Sequence, residues 1–263
     1  MEPDLSQTPV QPLPTENRRV GWGPLAAVLV TIIVYFVSQI LGGVIVYLYP
    51  VMKHWTSSQA EAWVNSSVYA QFAFVLIVES LTLWLIFAFI RHRRTALSVI
   101  GLKRFRLVDI GYALSGFAAY FVSYIVLISA LQHYIPQLNS NQKQELGFNT
   151  NTTGVALVAV FISLVLLPPI VEEIVARGFL YTGLRKKMRM LPAAIITSIL
   201  FGAAHLQFGS GNALLWTAAA DTFILSMVLV YLREKTGSLW ASIGLHMIKN
   251  SIAFVGLFIL HLN

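Results

Sequence analysis

Seven apolar windows, each near the length needed to cross a bilayer, constrain this chain more than any other feature. They fall at about 22–49, 64–90, 108–133, 154–184, 190–207, 213–232 and 238–261. A span of about 20 apolar residues bridges the hydrocarbon core as a helix, which satisfies its own backbone hydrogen bonds there. The expected fold class is all-α: a polytopic transmembrane helical bundle of about seven to eight spans, with the active site buried between helices. The fifth and sixth windows are short, and an eighth, re-entrant element is compatible with the pattern.

Composition agrees. The chain is 57% hydrophobic and 11% charged, where soluble domains carry about 25% charged residues. There is no cysteine, which removes disulfides, thiol nucleophiles and thiolate metal sites together. The net charge of +7 does not point to nucleic acid, because the cations cluster beside the apolar windows. Arg18, Arg19, Arg91, Arg93, Arg94, Lys103, Arg104, Arg106, Arg185, Lys186, Lys187, Arg189, Arg233 and Lys235 all fall on one side if the spans alternate, with Lys53 and Lys143 as exceptions. The positive-inside rule then predicts a cytoplasmic N-terminus. Residues 1–20 contain Pro3, Pro9, Pro12 and Pro14 and read as a disordered cytoplasmic tail.

Within the fourth window, Glu172, Glu173 and Arg177 interrupt the apolar run just after Pro168 and Pro169. Ionisable groups at this depth cost several kcal/mol, so they face a bundle interior and mark a pathway or a site. Glu173 and Arg177 are four apart with the acid N-terminal, the favourable order for a helical ion pair. Glu172 is rotated by about 100° from Glu173 and is the carboxylate left for chemistry. The two prolines are expected to break or kink the helix beside a cavity.

A rise of about 1.5 Å per residue places Glu172 and Asn250 each ~20 Å, and His205 roughly 22–24 Å, from the cation-rich end of its span. His246 is one turn shallower than Asn250 and on the same face. Glu79, Asp221 and Lys249 lie at comparable depth and read as supporting charges that cancel one another. A carboxylate with an imidazole can deprotonate water, and a second histidine with an asparagine can stabilise a tetrahedral oxyanion. Glu172 and His205 are therefore assigned to water activation, and His246 and Asn250 to the oxyanion. A zinc site from His205, His246 and a glutamate is the alternative, though no His-Glu-x-x-His motif is present. Ser210 reads as a turn residue rather than a nucleophile.

These segments resemble the CAAX-processing and bacteriocin-processing (CPBP, or Abi) intramembrane protease family. Its Glu-Glu-x-x-x-Arg motif matches Glu172 to Arg177, its Phe-x-x-x-His motif matches Phe201 to His205, and its His-x-x-x-Asn motif matches His246 to Asn250. The resemblance covers about 165–254. It implies a glutamic-type endopeptidase in which Glu172 and His205 activate water, His246 and Asn250 form the oxyanion hole, and Glu173 and Arg177 support the site. No cofactor is expected, with zinc as the alternative. Ala176 and Lys249 depart from the family pattern, and residues 1–150 carry none of it.

The expected organisation is a tail (1–20), N-terminal helices governing access (21–150) and a CAAX-protease-like core (151–263). Expected partners are the lipid bilayer and a membrane protein or lipidated peptide substrate, with no nucleic acid. The expected setting is a bacterial plasma membrane, multi-pass. A competing reading is a non-catalytic scaffold or bacteriocin immunity protein, which would not require Glu172; a transporter lacks visible inverted halves. Oligomeric state is left open.

Overall fold

The computed structural model describes residues 20–135, 147–206 and 214–262. The expectations for the tail, apart from Val20, and for Ser210 lie outside these residues. All regular structure among the described residues is helical: α1 (Pro24–Met52), α2 (Ser57–Ser66), α3 (Val68–His92), α4 (Val108–Tyr134), α5 (Gly154–Arg185), α6 (Met190–Ala204), α7 (Trp216–Thr236) and α8 (Trp240–Ile259). Six of them are long and apolar enough to cross a membrane, and α6 is a shorter apolar seventh. The chain is thus a multi-pass membrane protein.

The outer faces carry large apolar side chains. Ile33, Phe36, Ile40 and Val44 project from α1, and Phe121, Val122 and Val126 from α4. Contiguous exposure of this kind would be a liability in water; in a bilayer it is the solvated surface. Small and polar residues point inward instead, among them Ser38, Gly42, Thr197 and Ser226, as expected where helices approach closely.

Helix α2 was not foreseen, since most of it falls in the polar stretch between the first two apolar windows. Its start carries a capping box: the Thr56 hydroxyl accepts from Gln59 N at 3.3 Å and Thr56 N donates to Gln59 Oε1 at 2.9 Å. Ser67, in extended backbone, separates α2 from α3 and caps the latter through Ala70 N.

Helix α5 is the axis of the bundle, packed against α1, α3, α6 and α8. It departs from the expected break at Pro168 and Pro169. The chain stays helical by widening to π turns over Ile162–Leu166 and Ile174–Leu180, on either side of the α-helical Leu167–Glu173. A proline cannot donate in the ladder. The π register absorbs the defect, with Leu167 N donating to Ile162 O, and such bulges are frequent at functional sites.

One end of the bundle is tied together by its cations. Lys186 Nζ donates to Val20 O at 2.8 Å, Arg185 pairs with Glu234 at 2.6 Å, and Arg233 Nη2 donates to Val99 O at 3.1 Å. Trp240 Nε1 donates to Lys103 O at 2.6 Å, and Leu239 N to Gly101 O at 3.0 Å. The core beneath this end holds Trp22, Ile86, Ile90, Ile100, Phe179, Leu184 and Leu239, with Trp22 stacked on Phe179 at 4.8 Å.

Helices α6 and α7 pack closely because Gly202 has no side chain: a Cβ there would lie 2.8 Å from Ala219 O. Gly202→Ala should lower the unfolding midpoint in detergent, a cost of about 1–3 kcal/mol for overpacking. Gly43→Ala, where a Cβ would meet nothing within 4 Å, should leave that midpoint unchanged.

Candidate active site

The 15 residues of α6 rise only ~22 Å, less than a bilayer core, so its C-terminus stops inside the bundle. His205 caps that end, with its N donating to Gly202 O at 3.0 Å. A short helix thus delivers an imidazole to mid-depth. There it meets Glu172 from α5 and His246 and Asn250 from α8, all lining one cavity of about 1050 Å³. The four residues singled out in the sequence are brought together.

The two adjacent glutamates have different surroundings. Glu173 and Arg177 are fully buried and paired, Arg177 Nη1 donating to Glu173 Oε1 at 2.9 Å. The same Oε1 accepts from His246 Nδ1 at 3.0 Å. Arg177 Nε and Nη2 have no hydrogen-bond partner among the described residues. The guanidinium lies 4.3 Å from the centroid of the Phe201 ring, whose face offers a cation–π contact. Phe201 also packs beside His205 and His246, with centroids 4.9 and 5.9 Å apart. The phenylalanine of the second motif therefore joins cation and imidazoles, a role that its sequence position alone does not reveal.

Glu172 faces the cavity, with its side chain 31% exposed. Its Oε2 has no hydrogen-bond partner among the described residues. His246 Nε2 is 3.8 Å from it, beyond hydrogen-bond range.

Both histidine rings are oriented through Nδ1. Carboxylate and carbonyl oxygens only accept, so His246 Nδ1–H donates to Glu173, and His205 Nδ1–H donates to Phe201 O at 2.8 Å. In each ring Nε2 is the nitrogen left over, and such tethering fixes ring orientation and tautomer.

Asn250 is positioned by the prolines. Its Nδ2 donates to Leu164 O at 2.8 Å. Along the helix, the backbone nitrogens four and five residues on from Leu164 belong to Pro168 and Pro169, and neither carries a hydrogen. The diproline thus leaves a carbonyl that the asparagine takes up, while one amide hydrogen and Oδ1 remain.

Asp221 and Lys249 also line the cavity and pair at 2.8 Å, with Tyr120 OH donating to the other Asp221 oxygen. That is the charge cancellation anticipated for them. Glu79 differs, making no ion pair among the described residues. No group of three or more His, Asp or Glu side chains placed to hold a metal occurs among the described residues.

The buried pair makes a thermodynamic prediction. Removing one partner leaves an uncompensated buried charge, so Arg177→Met should destabilise the protein by about 3–5 kcal/mol. Adding Glu173→Gln should recover part of this loss, measured by unfolding of the single and double variants in detergent.

The family model described as "Type II CAAX prenyl endopeptidase Rce1-like" matches residues 154–252. A Bacillus subtilis (strain 168) protein named "Putative membrane peptidase YdiL" is 30% identical over 87 residues, covering 33% of this chain and 32% of the relative. The chain thus spans about a third of the length of the curated relative it matches. No solved structure matches the chain. Residues 154–252, the part of the chain similar to that family, contain all six of the Glu172, Glu173, Arg177, His205, His246 and Asn250 side chains.

Proposed function

We propose that this protein is an intramembrane endopeptidase that hydrolyses a peptide bond of a membrane-associated substrate, using a water activated by Glu172 with an imidazole. The observation that carries the reading is the division of labour between neighbouring carboxylates. Glu173 is fully buried, with Oε1 held by Arg177 and His246, whereas Glu172 is 31% exposed and lines the cavity, with no hydrogen bond to its Oε2 among the described residues. A scaffold needs no carboxylate facing a cavity at this depth, where an ionisable group is costly to keep.

In this mechanism Glu172 takes a proton from water as the water oxygen bonds to the scissile carbonyl carbon. The carbonyl π electrons move to oxygen. His205, turned by its bond to Phe201 O so that Nε2 is available to accept, assists this step. The oxyanion is met by the remaining amide hydrogen of Asn250 and by His246. For His246 to donate from Nε2 the ring must hold both protons, and the Glu173 carboxylate against Nδ1 supplies the counter-charge. Collapse of the intermediate breaks the C–N bond, and the proton on Glu172 passes to the leaving amine.

No resident metal is needed in this scheme. Glu173 Oε1, which a zinc site could recruit, is already engaged by a cation and an imidazole. The assignment of 21–150 to substrate access and 151–263 to catalysis belongs to the same proposal. It is supported by Asn65 and Gln71 of the first region lining the outer part of a cavity whose reactive groups come from the second.

Purified protein in lipid should cleave members of a membrane-presented peptide library. Glu172→Ala should reduce the rate by about 10²–10⁴-fold, the contribution of a general base, without lowering the unfolding midpoint. Cleavage should survive a tight chelator; loss restored by zinc would move the site to metal chemistry, and cleavage unaffected by Glu172→Ala would remove the glutamate mechanism. Pro168→Ala should restore a backbone donor for Leu164 O and release Asn250. It should slow cleavage roughly 10–10²-fold, as expected for misplacing a catalytic group, with stability unchanged or raised.

A further inference from the structure

The cation-rich end of the bundle gives no route to Glu172. From Ala176 to Leu184 every residue of α5 is buried, packed on Trp22, Ile100 and Leu239, and the ends above are stitched by the Lys186, Arg185, Arg233 and Trp240 bonds. The cavity extends the other way. Beyond Glu172 and His246 its walls are Asn65, Gln71, Asn149, Thr150 and Phe258, all at span ends remote from the cation clusters.

The polar part of that mouth is uncharged, and it lies beside an aromatic cluster. Tyr49, Trp55 and Trp63 pack with ring centroids 5.0–5.8 Å apart at the α1–α2 junction. Gln71 Nε2 ties the same helix to the mouth by donating to Asn65 O at 3.0 Å. Tyr and Trp concentrate at membrane–water interfaces, and Lys and Arg on the cytoplasmic side.

We infer that the cavity is loaded from the extracytoplasmic face, and that its substrate is a translocated or membrane-anchored peptide whose scissile bond lies at that interface. This rests on the endopeptidase reading above. A prenylated C-terminal tail sits at the cytoplasmic surface, where α5 is sealed by packed side chains. The lipidated CAAX-type substrate anticipated from the family resemblance would meet the closed end of this molecule.

The absence of cysteine makes single-cysteine labelling free of background. Asn149→Cys marks the mouth and Lys187→Cys the opposite end, both exposed positions outside the catalytic set. In intact cells of a bacterial host, a membrane-impermeant maleimide should label the full chain carrying Asn149→Cys, and should label Lys187→Cys only after permeabilisation. In lipid nanodiscs, where both faces are accessible, a bulky maleimide on Asn149→Cys should abolish peptide cleavage and the same group on Lys187→Cys should leave it intact. The reverse labelling pattern, or a block from Lys187→Cys alone, would overturn the inference. No cleavage by the unmodified protein in nanodiscs would overturn the endopeptidase reading instead, while labelling would still report the side of the mouth.

Discussion

The site depends on one buried acid being neutralised so that its neighbour need not be. Glu173 receives Arg177 and His246 on a single oxygen, and Arg177 spends its remaining surface on the face of Phe201. Three helices, α5, α6 and α8, are thereby fixed to one another by a charge that would be costly without all its partners. Burial of this kind adds little net stability compared with an apolar core. What it supplies is a unique registration of the helices that carry Glu172, His205 and Asn250.

A second device works through the backbone. Two consecutive prolines would ordinarily disrupt a spanning helix, and here π turns on both sides keep the chain helical while leaving Leu164 O without a helical donor. Asn250 satisfies it from α8. The lost ladder bond and the positioned side chain are the same event, so the irregularity in α5 and the placement of the asparagine have one cause.

Around this centre the bundle is asymmetric along its axis. The end that carries the cations is filled by an apolar core and cross-linked by side-chain to backbone bonds, and the opposite end holds the cavity, the neutral polar rim and the interfacial aromatic rings.

The sequence by itself determined the all-helical membrane fold, because a run of about 20 apolar residues has few other stable forms in lipid, and it determined which span carries the adjacent acids Glu172 and Glu173. The i, i+4 spacing also made the Glu173–Arg177 pair legible, and helical rise placed His205, His246 and Asn250 at one level with Glu172. Helix α2 could have been found from its capping box. Only the tertiary structure decided that His246 would bind Glu173 as well as face the cavity, that Phe201 would cover Arg177, and that Asn250 would claim the carbonyl stranded by Pro168 and Pro169. These are contacts between residues 24 to 86 positions apart in the chain. Local periodicity sets the face of a helix and its depth, but not which helix stands opposite, and that neighbour fixes each partner and the end at which the cavity opens.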